Sequence, residues 1–363
     1  MSGIRSKTGK SFQLAATLLL AAFVGLGAAC PAAAQNLVYA NPLAKNHFQL
    51  GVLAEEWIDQ VQRATDNRVR IRHVPGGSLL KLENMIEGLR AGVADLGSTN
   101  VAASSRQLPI VSTLSGTADL TLGNQIDTVG IALVFQKLLE EFPQITQEFR
   151  DINLVPVVWV PVFTFAILSR TPVVTLADLP GKKIRAFGPN LPKILSAAGM
   201  TPLSVAAGEV YTSLQTGVID AVFTTPGAMY SLRWYEQGRH ILTVGPRWGA
   251  QLMGVGDGYF FNADSWNRIP AGDREIITRV SREFTLNAGK RMQEDGENSI
   301  KAMREQGVTI SNLSEAETAE LARRTGDFTL VAEQTINGFG GPGTAIVGRY
   351  RQLVADYVAG RLR

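Results

Sequence analysis

The sequence predicts an α/β protein of two lobes, joined by hinge strands and braced by a long helix. Three observations lead there. Strand-like and helix-like apolar periodicities alternate along most of the chain, the pattern of a largely parallel sheet covered by helices. Beyond an apolar leader some 330 residues remain, more than one hydrophobic core usually serves. Midway, the apolar run from Leu154 to Ser169 is broken by Pro156 and Pro161, which suggests two strands meeting at a bend where the chain crosses between lobes.

The leader begins with Arg5, Lys7 and Lys10, runs uncharged from about Leu14 to Ala29, and ends on Ala32, Ala33 and Ala34. That is the pattern of a secretory signal peptide cut before Gln35, over residues 1–34, and its apolar stretch is short for a membrane span. Cys30, the only cysteine, lies upstream of the cut. Cleavage before Cys30 with lipid on its sulfur is the alternative, opposed by Gly27, which stands where a bulky aliphatic residue is expected. The three basic leader residues account for the whole +3 formal charge, so the rest of the chain is balanced and lacks the surplus that phosphate neutralisation needs. The expected mature protein is soluble, outside the cytoplasm, free of disulfides, and has no nucleic-acid partner.

The elements follow in order. Asn36 to Asn41 reads as a buried strand stopped by Pro42, and Leu50, Leu53, Trp57 and Val61 recur at helical steps. Val69 to Val74 alternates like a strand, after which Ser78 is expected to cap a helix buried through Leu82, Met85, Ile86 and Leu89. One helix is predicted from Ile126 to Arg150. The first lobe spans 35–157, with a returning segment over about 247–270, and the second spans 158–246. In the second lobe the alternation resumes with strand Lys182 to Phe187, helix Asn190 to Ala198, strand Thr201 to Val205, helix Gly208 to Gly217, strand Ile219 to Thr224 and a helix after Pro226. Segment 271–363 holds a bracing helix of about thirty residues from Asp273, a Ser314–Glu317 capping box opening another, and a last amphipathic helix.

Enzymatic chemistry does not declare itself. His47, His73 and His240 lack metal-ligand spacing, and no cysteine remains beyond the leader. There is no G-x-S-x-G elbow and no P-loop lysine motif. Gly338 to Gly343 satisfies G-x-G-x-x-G, but it follows a helix instead of a strand and lies near the end of the chain, so it reads as a loop. Asp95 and Asp220 each stand between a helix-ending glycine and a strand, where a turn or cap role is expected. His73 and His240 read as packed or surface residues.

The order of motifs in the second lobe carries a resemblance: Leu179 with Gly181, Lys183-Ile184-Arg185 closing a strand, Gly199 with Pro202, Glu209-Val210-Tyr211 with Leu214-Gln215, and Gly217-Val218-Ile219-Asp220. It resembles the solute-binding proteins of tripartite ATP-independent periplasmic (TRAP) transporters, of the C4-dicarboxylate-binding type. The first lobe agrees through Val69 to Leu79 and Gly88 to Asn100. The resemblance implies a two-lobed periplasmic binding protein, not an enzyme, that closes on an organic acid and hands it to a sodium-driven TRAP permease. It implies no cofactor, and leaves open a metal ion bridging the ligand.

By this resemblance Arg185 grips the ligand carboxylate, while Asn41, Asn100 and Thr225 occupy polar contact positions. A guanidinium suits that role because its planar fork matches two carboxylate oxygens. The sequence also departs from the pattern. Thr164, between Phe163 and Phe165, stands where some relatives carry a second cation, and Phe223 with Thr224 replaces a carboxylate. Together with Trp159 and Phe187, these positions suggest a ligand with one carboxylate and an apolar or aromatic body. A binding protein of an ABC importer or sensor kinase, or a secreted enzyme on a similar scaffold, are the rival readings.

Overall fold

The computed structural model describes residues 34–120, 125–186, 191–248 and 253–362. The leader up to Ala33, and with it the Cys30 alternative, lies outside them, as does Phe187.

In the first lobe β1 (Gln35–Ala40) pairs in parallel with β2 (Val69–Val74) and β3 (Leu96–Asn100). The sheet is completed by β4 (Leu154–Val160) and by β10 (Asp257–Asn262), which runs antiparallel between β3 and β4. Helices α1 (Leu53–Ala64) and α2 (Met85–Arg90) cover opposite faces, followed by α3 (Pro109–Gly116), α4 (Thr128–Glu141) and α5 (Pro143–Asp151). Leu53, Trp57 and Val61 are fully buried, as their spacing requires.

Two expectations fail locally. The helix predicted from Ile126 to Arg150 is two helices, because Pro143 has no N–H to donate and opens α5 at its first turn. Ser78 caps nothing: its hydroxyl donates to the Pro75 carbonyl at 3.1 Å, closing a turn, and the helical run begins only at Leu82, which is exposed.

The chain leaves the first sheet at Val160, beyond the expected boundary at 157/158, and enters the second at Ala166. The second sheet has the order β11-β9-β5-β8-β6-β7. Its strands are β5 (Ala166–Ser169), β6 (Lys183–Arg185), β7 (Thr201–Leu203), β8 (Ala221–Thr224), β9 (His240–Thr243) and β11 (Thr309–Asn312). Between them run α6 (Leu191–Ala197), α7 (Val210–Thr216) and α8 (Pro226–Ser231). Asp220 does more than the expected turn or cap: its Oδ2 accepts the Lys183 amide at 2.8 Å, tying the chain ahead of β8 to the start of β6. Asp95 binds more: Oδ2 accepts the Val38 amide at 2.9 Å, and Oδ1 takes Ser265 at 2.7 Å and Arg268 at 3.0 Å.

Helix α9 (Ala263–Arg268) leads into α10 (Ala271–Glu305), the expected brace. Ile277, Val280, Phe284, Ala288, Met292 and Ile300 enter the core of the first lobe, whereas Met303 enters a core of the second. Two glycines let it lie close. A Cβ on Gly289 would stand 2.9 Å from the Thr128 carbonyl oxygen, and one on Gly296 only 2.5 Å from the Phe163 ring.

The capping box is present: Ser314 and Glu317 open α11 (Glu315–Thr325), and the Glu317 carboxylate also accepts the Leu176 amide at 2.8 Å. Helices α12 (Phe328–Gly338) and α13 (Gly343–Val358) close over the first lobe through Ile336, Ile346, Val347 and Tyr350. The glycines between them form the turn of this pair, with Gly340 at φ 79°.

Candidate functional site: the cleft edges of the two sheets

Strand direction locates the site. One crossing leaves β4 at Val160 and enters β5 at Ala166; the other leaves β9 at Thr243 and enters β10 at Asp257. Val160 pairs with Asp257, and Ala166 pairs with both Thr243 and Thr224. Both crossings therefore join the same edge of each sheet, and these edges face each other. They are also the carboxyl-terminal edges of β1, β2 and β3 in one lobe and of β6, β7 and β8 in the other, where open α/β sheets gather their ligands.

On the second lobe Arg185 ends β6. It is half-buried, and its Nε donates to the Val205 carbonyl at 3.2 Å. Its guanidinium carbon lies 5.9 Å from the ring centroid of the buried Trp234, within cation–π range. Burial pushes its pKa down, so a cation held here gains from an anionic partner. Thr225 follows β8 and accepts the Ala228 amide at 3.4 Å, capping α8.

The first lobe presents two polar groupings. Asn41, 1% exposed, follows β1; its Oδ1 accepts the Leu43 amide at 2.9 Å, which leaves Nδ2 facing His73 Nε2 at 3.1 Å. An amide nitrogen donates, so Nε2 must accept, and the His73 proton sits on Nδ1, toward Glu55. His73 is thus a packed residue, as expected, but packed at the cleft edge, where it fixes Asn41. Asn100 ends β3, accepts the Ala102 amide at 3.1 Å and donates from Nδ2 to Asp257 at 3.0 Å.

The aromatic expectations need correction. Trp159 does not line the cleft: its ring is enclosed in the first lobe's core by Phe135, Phe149 and Phe260, with centroids 5.2–5.7 Å away. Phe223 is 1% exposed and lies against Phe165 in the second lobe's core. In both cases strand alternation sends the side chain to a sheet face under helices, not off the strand end. Phe163 and Thr164 lie on the first crossing. The Phe163 ring stacks on Trp248 at 5.9 Å and meets α10, and Thr164 is fully buried, so both belong to the hinge packing.

Asp257 was not marked by any sequence pattern. An acid between two glycines just ahead of an apolar strand, Gly256-Asp257-Gly258, was the available signal.

Two lobes, two crossings at one edge and a desolvated cation at that edge define a two-lobed solute-binding receptor. The chain belongs to the bacterial extracellular solute-binding protein family 7, the DctP family, whose model matches residues 39–329. It is similar to the 2,3-diketo-L-gulonate-binding periplasmic protein YiaO of Escherichia coli, 24% identical over 289 residues, 77% of this chain and 81% of the relative. A solute-binding protein of Albidiferax ferrireducens is 23% identical over 282 residues, 75% and 79% of the two chains. In fold it is similar to a TRAP periplasmic solute binding protein from Desulfovibrio salexigens, with TM-score 0.79 at 24% identity, over 90% of this chain and 97% of that one. It is also similar to DctP7, a Bordetella pertussis extracytoplasmic solute receptor binding pyroglutamic acid, with TM-score 0.72 at 20% identity, over 88% and 100%. Among the described residues no helix is long and apolar enough to cross a membrane.

Proposed function

We propose that the protein is secreted, loses its leader before Gln35, and captures a small organic acid between its lobes for delivery to a TRAP-type permease driven by sodium. It performs no chemistry on the ligand and needs no cofactor. Arg185 is the carboxylate anchor, and Asn41, Asn100 and Thr225 supply further polar contacts from the facing edges.

The observation that carries this reading is a guanidinium at the end of a parallel strand, partly stripped of water and fixed through Nε to Val205. Such a group offers directional, charge-assisted hydrogen bonds to a carboxylate, and losing one member of a desolvated pair of this kind costs about 2–5 kcal/mol. Solved relatives support the ligand class. One from Pseudomonas putida holds D-glucuronate, and DctP7 is described as binding pyroglutamic acid. Native mass spectrometry of the protein as purified, followed by a thermal-shift panel of mono- and dicarboxylates, tests the proposal. A co-purified acid that also raises the melting temperature supports it, whereas turnover of that acid contradicts it.

A further inference from the structure

Asp257 opens β10 at the cleft edge, paired on one side with Asn100 at the end of β3 and on the other with Val160 at the end of β4. It is 6% exposed. Among the described residues its Oδ1 accepts one hydrogen bond, from Asn100 Nδ2 at 3.0 Å, and its Oδ2 accepts none. Nor does any lysine or arginine among them form an ion pair with it. Asn100 cannot turn to help further, because its own Oδ1 is taken by the Ala102 amide at 3.1 Å.

As the first residue of β10, this acid stands at the cleft edge of the first sheet. A Cβ on the preceding Gly256 would stand 2.4 Å from Val162 Cγ2 and 3.4 Å from Asn100 Nδ2, so the crossing strand passes directly over this end of the sheet. Tyr39, on the same face, spends its hydroxyl on the Leu50 carbonyl at 3.4 Å. The carboxyl is largely buried and its Oδ2 has no protein donor among the described residues, which leaves that oxygen open to a partner in the cleft.

The two lobes therefore present opposite chemistry to a guest. Arg185 offers donors and positive charge, while Asp257 offers an acceptor. Above about pH 7, where Asp257 is ionised, a plain dicarboxylate satisfies the first and sets a second negative charge against the other. A carboxylate that also carries an N–H group satisfies both.

We infer that Asp257, oriented by Asn100, is a specificity residue that accepts a hydrogen bond from an N–H of the ligand, so the captured acids are amino-acid-like or cyclic-amide carboxylates. This rests on the carboxylate-receptor reading proposed above. It makes the site selective by a group that a dicarboxylate lacks, because a buried acceptor left unpaired rejects the wrong guest more strongly than a missing apolar contact does.

The test uses the full receptor above about pH 7 and pairs in which the N–H-bearing ring nitrogen is replaced by oxygen; the lactam pair is matched in charge, whereas the proline nitrogen also carries a positive charge. Pyroglutamate is compared with 5-oxotetrahydrofuran-2-carboxylate, proline with tetrahydrofuran-2-carboxylate, and succinate serves as the dicarboxylate. Calorimetry on the wild type is expected to show a preference of about tenfold or more for the N–H member of at least one pair. In Asp257→Ala the preference should collapse to near parity. In Asp257→Asn, which keeps an acceptor oxygen, part of it should survive for the neutral lactam. Equal binding within both pairs, or tighter binding of succinate, overturns the inference; if Arg185→Ala still abolishes that binding, the receptor reading stands. Failure of every carboxylate to bind removes both. The wild-type comparison decides the matter even where a variant does not fold.

Discussion

Arg185 Nε donates to the carbonyl oxygen of Val205 at 3.2 Å, tying the last residue of β6 to the chain just beyond β7. A guanidinium held in this way has its plane set by the protein, which lowers the entropy lost when a carboxylate is gripped. Lysine has neither the fork nor the Nε, so Arg185→Lys is expected to lose most of the affinity while keeping the charge.

The brace should resist enlargement where it touches the hinge. Gly296→Ala places a methyl 2.5 Å from the Phe163 ring, which is itself stacked on Trp248 and cannot retreat freely. Urea unfolding should show a loss of about 1–3 kcal/mol. Wild-type stability in this variant would mean that the helix and crossing strand are not packed as described.

Asp95, just ahead of β3, ties together two elements, accepting from Val38 of β1 and from Ser265 and Arg268 of α9. Asp95→Ala leaves the Val38 amide without its acceptor and is expected to cost about 1–3 kcal/mol. Its affinity for ligand, measured below the melting transition, should be unchanged.

Trp159 separates core from cleft. Truncation to alanine should destabilise the first lobe by about 3–5 kcal/mol, as for other large buried aromatic residues. Ligand specificity should be preserved in whatever fraction folds. A changed order of preference among acids would return Trp159 to the site.

A buried acid, Asp257, and a half-buried one, Glu148, predict a stability slope with pH. Burial pushes Asp257 from 3.8 up to about 7, only partly countered by Asn100, and pushes Glu148 from 4.5 up to about 7 against the amides of Ile110 and Val111. Above about pH 4 the unfolded chain has released these protons while the folded chain still holds them. Their contribution is therefore fully present below that pH and lost as the pH rises to about 7, at a slope approaching roughly 1.4 kcal/mol per pH unit for Asp257 and less for Glu148, which solvent screens. Urea midpoints of wild type and Asp257→Asn across this window check the claim. The variant should show the shallower decline, and parallel curves would contradict it.

Much of this architecture was legible in the sequence because apolar period reports which face is buried. The strand at Val69–Val74, the Leu53-Trp57-Val61 stripe and the brace all follow from it. So did the crossing, since prolines at positions 156 and 161 limit how the apolar run can pair. Period does not report what lies beyond a strand's end or which helices cover it. Trp159 and Phe223 were therefore placed in the cleft when the sheet faces held them, and the N-cap expected at Ser78 lost to a turn that satisfied the same hydroxyl locally. Arg185 was found through the resemblance of its strand to a family motif. Asp257 had no such signal, because its partner Asn100 lies 157 residues away and only the antiparallel return of β10 brings them together.

The central claim is that one fixed guanidinium captures a carboxylate between the lobes. The direct measurement is ligand-induced thermal stabilisation of wild type and Arg185→Ala, using the acid identified from the purified protein at about a hundredfold excess over its dissociation constant, where binding is worth about 2.7 kcal/mol. The wild type should melt several degrees higher with ligand than without, and Arg185→Ala should melt at the same temperature in both conditions while remaining folded. An equal rise in the two proteins would contradict the account.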